Sequence, residues 1–250
     1  MDMSIEDYLA QGGVLSNPTN VPARYRAELL KLMTSFVDSE LAGAAGFADI
    51  INQGPGIAER MAAARIVQEK TAHAGRVLRV MESFGVNADR YANHHPWTAR
   101  LLRDADIGAA RGDHDMRLAV FNYPLDGWTD AVVMNLLMGL AVGVQMGDFQ
   151  KLSYQPLAEV FRAIAPVEAR HGELAEEGLV RLMGEGEGDR ILTSVSYWWP
   201  RVAASFGQAG SPRFKALNAM GLRHASNEAM RAQWEAEATA TLDRIGIQPG

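Results

Sequence analysis

The 250-residue sequence predicts an all-α protein built on a four-helix bundle. Three observations carry that expectation. Apolar residues recur at helical spacing through four long segments. Gly-, Asn- and Pro-rich breaks separate those segments. No alternating apolar–polar pattern of useful length marks a β-strand anywhere. Hydrophobic residues make up 48% and charged residues 22% of the chain, enough for a sizeable core and too apolar for disorder.

The elements follow in order. Residues 1–22 carry Gly, Asn and Pro and read as a loosely packed lead-in. A single helical domain is expected over 23–250. The first long helix runs from Ala23 to about Ile51, with Leu29, Leu30, Leu32, Met33, Phe36, Val37 and Leu41 on its apolar stripe. The run 52-NQGPG-56 breaks it. The second runs from about Ile57 to Phe84 and stops at Gly85, a common helix terminator. Residues 86–126 form a long connection with one short helix. The third helix spans about Gly127 to Gln150, and the fourth about Tyr154 to Met183. The loop 184-GEGEGD-189 follows, then further helices over 190–205, about 212–220 and 224–245. Two helix pairs joined by one long crossover are the layout of a ferritin-like bundle.

Composition narrows the function classes. Twenty-four basic against 30 acidic residues give a net charge of −6, which offers no basic footprint for nucleic acid or an anionic membrane. With no cysteine, disulfides, thiolate-bound zinc and thiol nucleophiles are excluded. The acidic start MDMSIEDYLAQGG lacks the basic-then-apolar order of a signal peptide. The longest apolar stretch, 131-AVVMNLLMGLAVGVQM-146, is interrupted by Asn135 and Gln145 and reads as a buried bundle helix rather than a membrane span. A cytoplasmic location is the resulting expectation.

Candidate site residues lie along the bundle helices. Glu168 and His171 are three apart, so one helical face presents a carboxylate and an imidazole together. Carboxylate-bridged dimetal bundles need two such pairs and two further glutamates. The first helix offers Glu40 in 36-FVDSELAG-43. The second offers His73, with Lys70 where a carboxylate is needed and Glu69 one position earlier. The third has no acid between Asp130 and Asp148. Taken singly, each has an ordinary reading, since helical glutamates are usually solvated and a lone helical histidine is usually structural. Their joint placement on three helices raises the metal-site reading. His94, His95 and His114 fall in the connection and read as surface loop; His224 and Glu228 read as surface or interface. Trp128 and 197-YWW-199 read as core or subunit contact, and exposed tryptophans would suit dimerisation.

Several stretches then point to a family. They are 22-PARYRAELLKLMTSFVDSELAG-43, 64-ARIVQEKTAHAGRVLRVMESFG-85, 120-VFNYPLDGWTDAVV-133, 152-LSYQPLAEVFRAIAPVEARHGE-173 and 198-WWPRVAASFG-207. The segment Phe121-Asn122-Tyr123-Pro124, followed by Trp128 and Asp130, is the most specific. Over roughly Val21 to Ile247 the chain resembles the phenylacetate catabolic protein family, and most closely its catalytic (A) subunits of phenylacetyl-CoA ring-1,2-epoxidase. The resemblance implies a ferritin-like non-haem diiron oxygenase. Such a protein uses O2 and electrons from a reductase on an aryl-CoA thioester, beside a structural subunit of the same fold. It also implies metal ligands at Glu40, His73, Glu168 and His171. Two positions depart from the family pattern: Lys70 stands in the bridging-carboxylate position, and Gly139 stands where the third-helix acid belongs.

With both imidazoles neutral, Glu40, Glu168 and Lys70 sum to one negative charge, and one protonated histidine restores neutrality. A buried ammonium between two carboxylates is the simplest reading of Lys70. A weaker reading keeps one ion of iron, manganese or zinc on His73, His171, Glu168 and Glu40, with Glu69 assisting. The expected cofactor is therefore none or a single metal ion, and an intact diiron centre is not expected. Three functions stay open: an altered or non-catalytic oxygenase-subunit homologue in a homo- or hetero-oligomer; a mononuclear-metal monooxygenase on an aromatic or acyl-CoA substrate; and a metal-free small-molecule binder or structural subunit.

Overall fold

The computed structural model describes residues 3–112 and 114–247. Among them are nine α-helices and no strand: α1 (Ile5–Ala10), α2 (Ala23–Ile50), α3 (Ile57–Glu82), α4 (Ala88–His94), α5 (Gly127–Phe149), α6 (Gln155–Gly184), α7 (Gly188–Ala203), α8 (Phe214–Ala219) and α9 (Asn227–Ile245). Helix α2 pairs along its length with α3, and α5 with α6; α3 and α6 join the pairs, while α7 and α9 pack on α5. The all-α, ferritin-like expectation therefore holds.

Local chemistry sets the boundaries. Helix α3 ends where Gly85 takes φ 89°, and the Val86 amide closes back on the Met81 carbonyl. That left-handed conformation is cheap only for glycine. The Asn87 side chain caps α4 by accepting from the Arg90 amide, and Ser226 caps α9 by accepting from Ala229. Helix α5 is long and apolar enough, by length and composition, to cross a membrane. Here it is a core helix, with Ala131, Val133, Leu137 and Ala141 fully buried.

Two apolar clusters fill the bundle. One gathers around α5, α7 and α9, with Trp198 and Trp234 at its heart; the other lies between α2, α3 and α6, around Tyr25, Met33 and Phe161. Helix α2 passes from one to the other between Leu41 and Ala42, just after Glu40.

Three features differ from the sequence expectations. The lead-in docks rather than lying loose: Leu15 is fully buried, and its carbonyl accepts from the Gln155 amide at 2.8 Å. His95 is buried, unlike His94 and His114. None of the five tryptophans is fully exposed: Trp198 and Trp234 are buried, and Trp97, Trp128 and Trp199 are partly buried against the core.

Candidate functional site

Four side chains from three helices meet inside the bundle. Glu40 on α2, Lys70 and His73 on α3, and Glu168 on α6 are each at least 95% buried. The Lys70 ammonium donates to Glu40 Oε1 at 3.1 Å and to both oxygens of Glu168 at 3.1 Å. His73 Nδ1 lies 3.1 Å from Glu40 Oε2 and 2.9 Å from Glu168 Oε1. Lys70 and His73 are three apart on α3, so one face delivers the ammonium and the imidazole to the same carboxylates. Both carboxylates are thereby satisfied, as buried charges must be.

His171 stands apart from this group. Its Nε2 lies 2.7 Å from Glu69 Oε2, and its Nδ1 is 3.5 Å from Glu168, beyond a good hydrogen bond. Arg65 donates to the other Glu69 oxygen at 2.9 Å. Glu69, on the far side of Lys70 by helical register, needs no local distortion of α3, because the His171 ring turns toward it. The arrangement thus has a buried part centred on Lys70 and an outer part that reaches half-buried Glu69.

Gly139, at the position where an acid is expected on the third bundle helix, offers only backbone. A Cβ added at Gly139 would lie 3.4 Å from Gly172 Cα, so the two glycines let α5 and α6 approach closely beside His171. One turn away, the Asn135 amide donates to the His171 carbonyl at 3.3 Å. Pro166 sits inside α6 just before Glu168 and withholds one helical hydrogen bond at that point.

Proton affinities follow from this packing. Burial works against charge on Lys70, but Glu168 and Glu40 outweigh it and raise its pKa above the ordinary 10.5. Burial likewise opposes charge on His73; hydrogen bonds to Glu168 and Glu40 overcome it and raise its pKa above 6.5. Burial disfavours the Glu168 carboxylate, yet Lys70, with His171 and His73, holds its pKa well below 4.5. With His73 protonated, two carboxylates face two cations and the buried part is neutral.

A pH dependence follows. Stability from His73 is complete below its unfolded value of 6.5 and is lost as pH rises through the higher folded value. Stability from Glu168 is complete above its unfolded value of 4.5 and is lost as pH falls through the lower folded value. Urea denaturation across pH should therefore show both contributions in full between 4.5 and 6.5. His73→Gln should remove the decline on the alkaline side; an unchanged alkaline limb would refute the assignment.

Gly43 separates the Lys70 side chain from Phe121, and the cavity bordered by Gly43, Phe47, Val120, Phe121 and Met134 measures about 20 Å³. That admits a water molecule and no aromatic ring.

The FNYP…W…D segment has a structural explanation. Asp130 is buried and accepts two bonds from Arg103, at 2.9 and 2.7 Å, one from Ser194 Oγ at 2.8 Å and one from Trp198 Nε1 at 2.9 Å. It ties the crossover and α7 to the start of α5.

Sequence reasoning missed a second buried polar group, formed by Asp38, His95 and Asp115. No spacing signal announces it, because its members lie on α2 and on two distant parts of the crossover.

A family model described as phenylacetic acid catabolic protein matches residues 4–249. The 1,2-phenylacetyl-CoA epoxidase A subunit of Escherichia coli (strain K12) is a similar protein. It is 21% identical over 248 residues, spanning 97% of this chain and 75% of that protein.

Proposed function

We propose, from the premise that this chain belongs to the phenylacetic acid catabolic protein family, that it is an altered, non-catalytic homologue of the epoxidase's catalytic component. In this reading Lys70 supplies the positive charge that a metal ion would otherwise bring, and the protein serves as a ferritin-like subunit of an oligomeric complex. The observation that carries the reading is the Lys70 ammonium, 3.1 Å from Glu40 Oε1 and from both oxygens of Glu168. A divalent ion at those oxygens would displace the ammonium or be repelled by it. The donor set also does not suit two ions, since a bridging position holds Lys70 and the third-helix position holds Gly139.

One observation favours a second reading. Donor atoms of Glu40, His73 and Glu168 all lie within 4.8 Å of one another, so one ion of iron, manganese or zinc would find three ligands if Lys70 withdrew. Such a protein would be a mononuclear-metal oxygenase, with an acyl-CoA thioester as the substrate class suggested by the relative's name.

Metal stoichiometry separates the two. Protein expressed in iron-replete medium and purified without chelator should carry no ion that depends on His73. Lys70→Glu creates a second Glu-x-x-His pair and should raise bound metal toward one ion per chain. An ion present in the native protein and lost on His73→Gln would overturn the non-catalytic reading and justify oxygen-uptake assays with aryl-CoA thioesters.

A further inference from the structure

We infer that Asp38, His95 and Asp115 form a divalent-cation site, separate from the Lys70 centre, that clamps the crossover onto α2. The inference does not depend on the proposed function. His95 Nε2 lies 3.3 Å from Asp38 Oδ1 and 3.2 Å from Asp115 Oδ1, and one donor atom from each residue lies within 4.8 Å of the others. Oxygen and nitrogen ligands about 2.0–2.2 Å from a shared ion sit roughly 3.0–3.4 Å apart, which matches the two nitrogen–oxygen distances of His95.

Charge argues the same way. Asp38 is 1% exposed and, among the described residues, forms no ion pair with lysine or arginine. Tyr91 Oη donates to its Oδ1 at 2.5 Å and the Met116 amide to its Oδ2 at 2.7 Å, both neutral donors. Among the described residues, Arg117 is the one guanidinium touching the group. Its side chain donates to Asp115 Oδ2 at 2.5 Å and to the Pro96, Trp97, Ala99 and Phe121 carbonyls, and its backbone amide donates to Asp115 Oδ1 at 3.0 Å. Arg111, close by, donates to Ser35 Oγ and the Met116 carbonyl instead. The two aspartates and Arg117 together carry one net negative charge, which an ion held on the His95 nitrogen would offset.

A way in exists as well. A cavity of about 540 Å³ runs up to His95 and is lined by Tyr91, His94 and His114 among others. Two carboxylates and an imidazole suit a first-row divalent ion such as manganese, cobalt or zinc. Such an ion would join Asp38 on α2 to the two ends of the segment 95–115. Because it binds the folded chain only, it would stabilise by mass action.

The test uses the full chain after chelator treatment, titrated with cobalt(II), manganese(II) and zinc(II). Cobalt should give a saturable visible absorption. At a hundredfold excess of ion over its dissociation constant, the melting temperature should rise by about 5–10 °C. His95→Ala should abolish both signals. Asp115→Asn, which keeps the side-chain shape, should weaken binding at least about tenfold, one lost charged ligand being worth that much, and it reads the same question if His95→Ala does not fold. His73→Gln should leave both signals in place. No shift with any of the three ions, a shift that survives His95→Ala, or an ion affinity unchanged by Asp115→Asn would overturn the site. Signals lost on His73→Gln instead would place the ion at the Lys70 centre.

Discussion

Lys70→Met should destabilise the protein by about 3–5 kcal/mol at neutral pH, the cost of removing one partner from a buried ion pair. The methionine fills most of the volume, so packing changes little. What remains is two buried carboxylates, Glu40 and Glu168, with His73 as their sole shared cation. The chain relieves the repulsion by protonating a glutamate or by opening α3 from α2, and either route costs stability. Urea denaturation of native protein and variant measures the difference. The triple variant Lys70→Met, Glu40→Gln, Glu168→Gln should recover most of the loss, since it removes the charges along with their partner. A single-variant loss under about 1 kcal/mol, the range of an exposed ion pair, would refute a central role for the ammonium.

Asp130→Ala should cost a similar amount, about 3–5 kcal/mol, for a different reason. Its carboxylate gathers Arg103, Ser194 and Trp198, along with the Asp126 amide. Truncation strands the Trp198 indole N–H and the Ser194 hydroxyl in a closed interior, where each unsatisfied group costs about 1–3 kcal/mol. Arg103 stacks 3.9 Å from the Tyr197 ring centroid and, half-exposed, can turn to water at less cost. Tryptophan fluorescence should shift as the indole environment of α7 loosens, while Asp130→Asn should retain part of the stability. A variant as stable as the native protein would show that the crossover is held elsewhere.

Both effects bear on how the family fold persists in this chain. The segment most specific to the family resemblance, ending at Asp130, fastens the crossover and α7. Under the proposed function, Lys70 and Gly139 stand where the resemblance leads one to expect metal ligands. In the same reading, fold and site have separated: the Asp130 fastening holds the fold, and the centre has been rebuilt as an ion-pair cluster.

The sequence by itself determined the helices, their pairing and the crossover, because apolar periodicity and the Gly and Pro breaks are local signals. It also placed Glu40, Lys70, His73 and Glu168 on matching faces, since residues three apart on a helix share a direction. Only the tertiary structure decided where His171 turns. Its ring has Glu168 within its own helix and Glu69 across the bundle, and the shorter contact, at 2.7 Å, goes to Glu69. The structure also decided that Leu15 anchors the lead-in and that His95 is buried between Asp38 and Asp115. Those contacts join residues far apart in the chain. Their geometry depends on how the crossover folds over α2, and no periodicity in the sequence encodes that path.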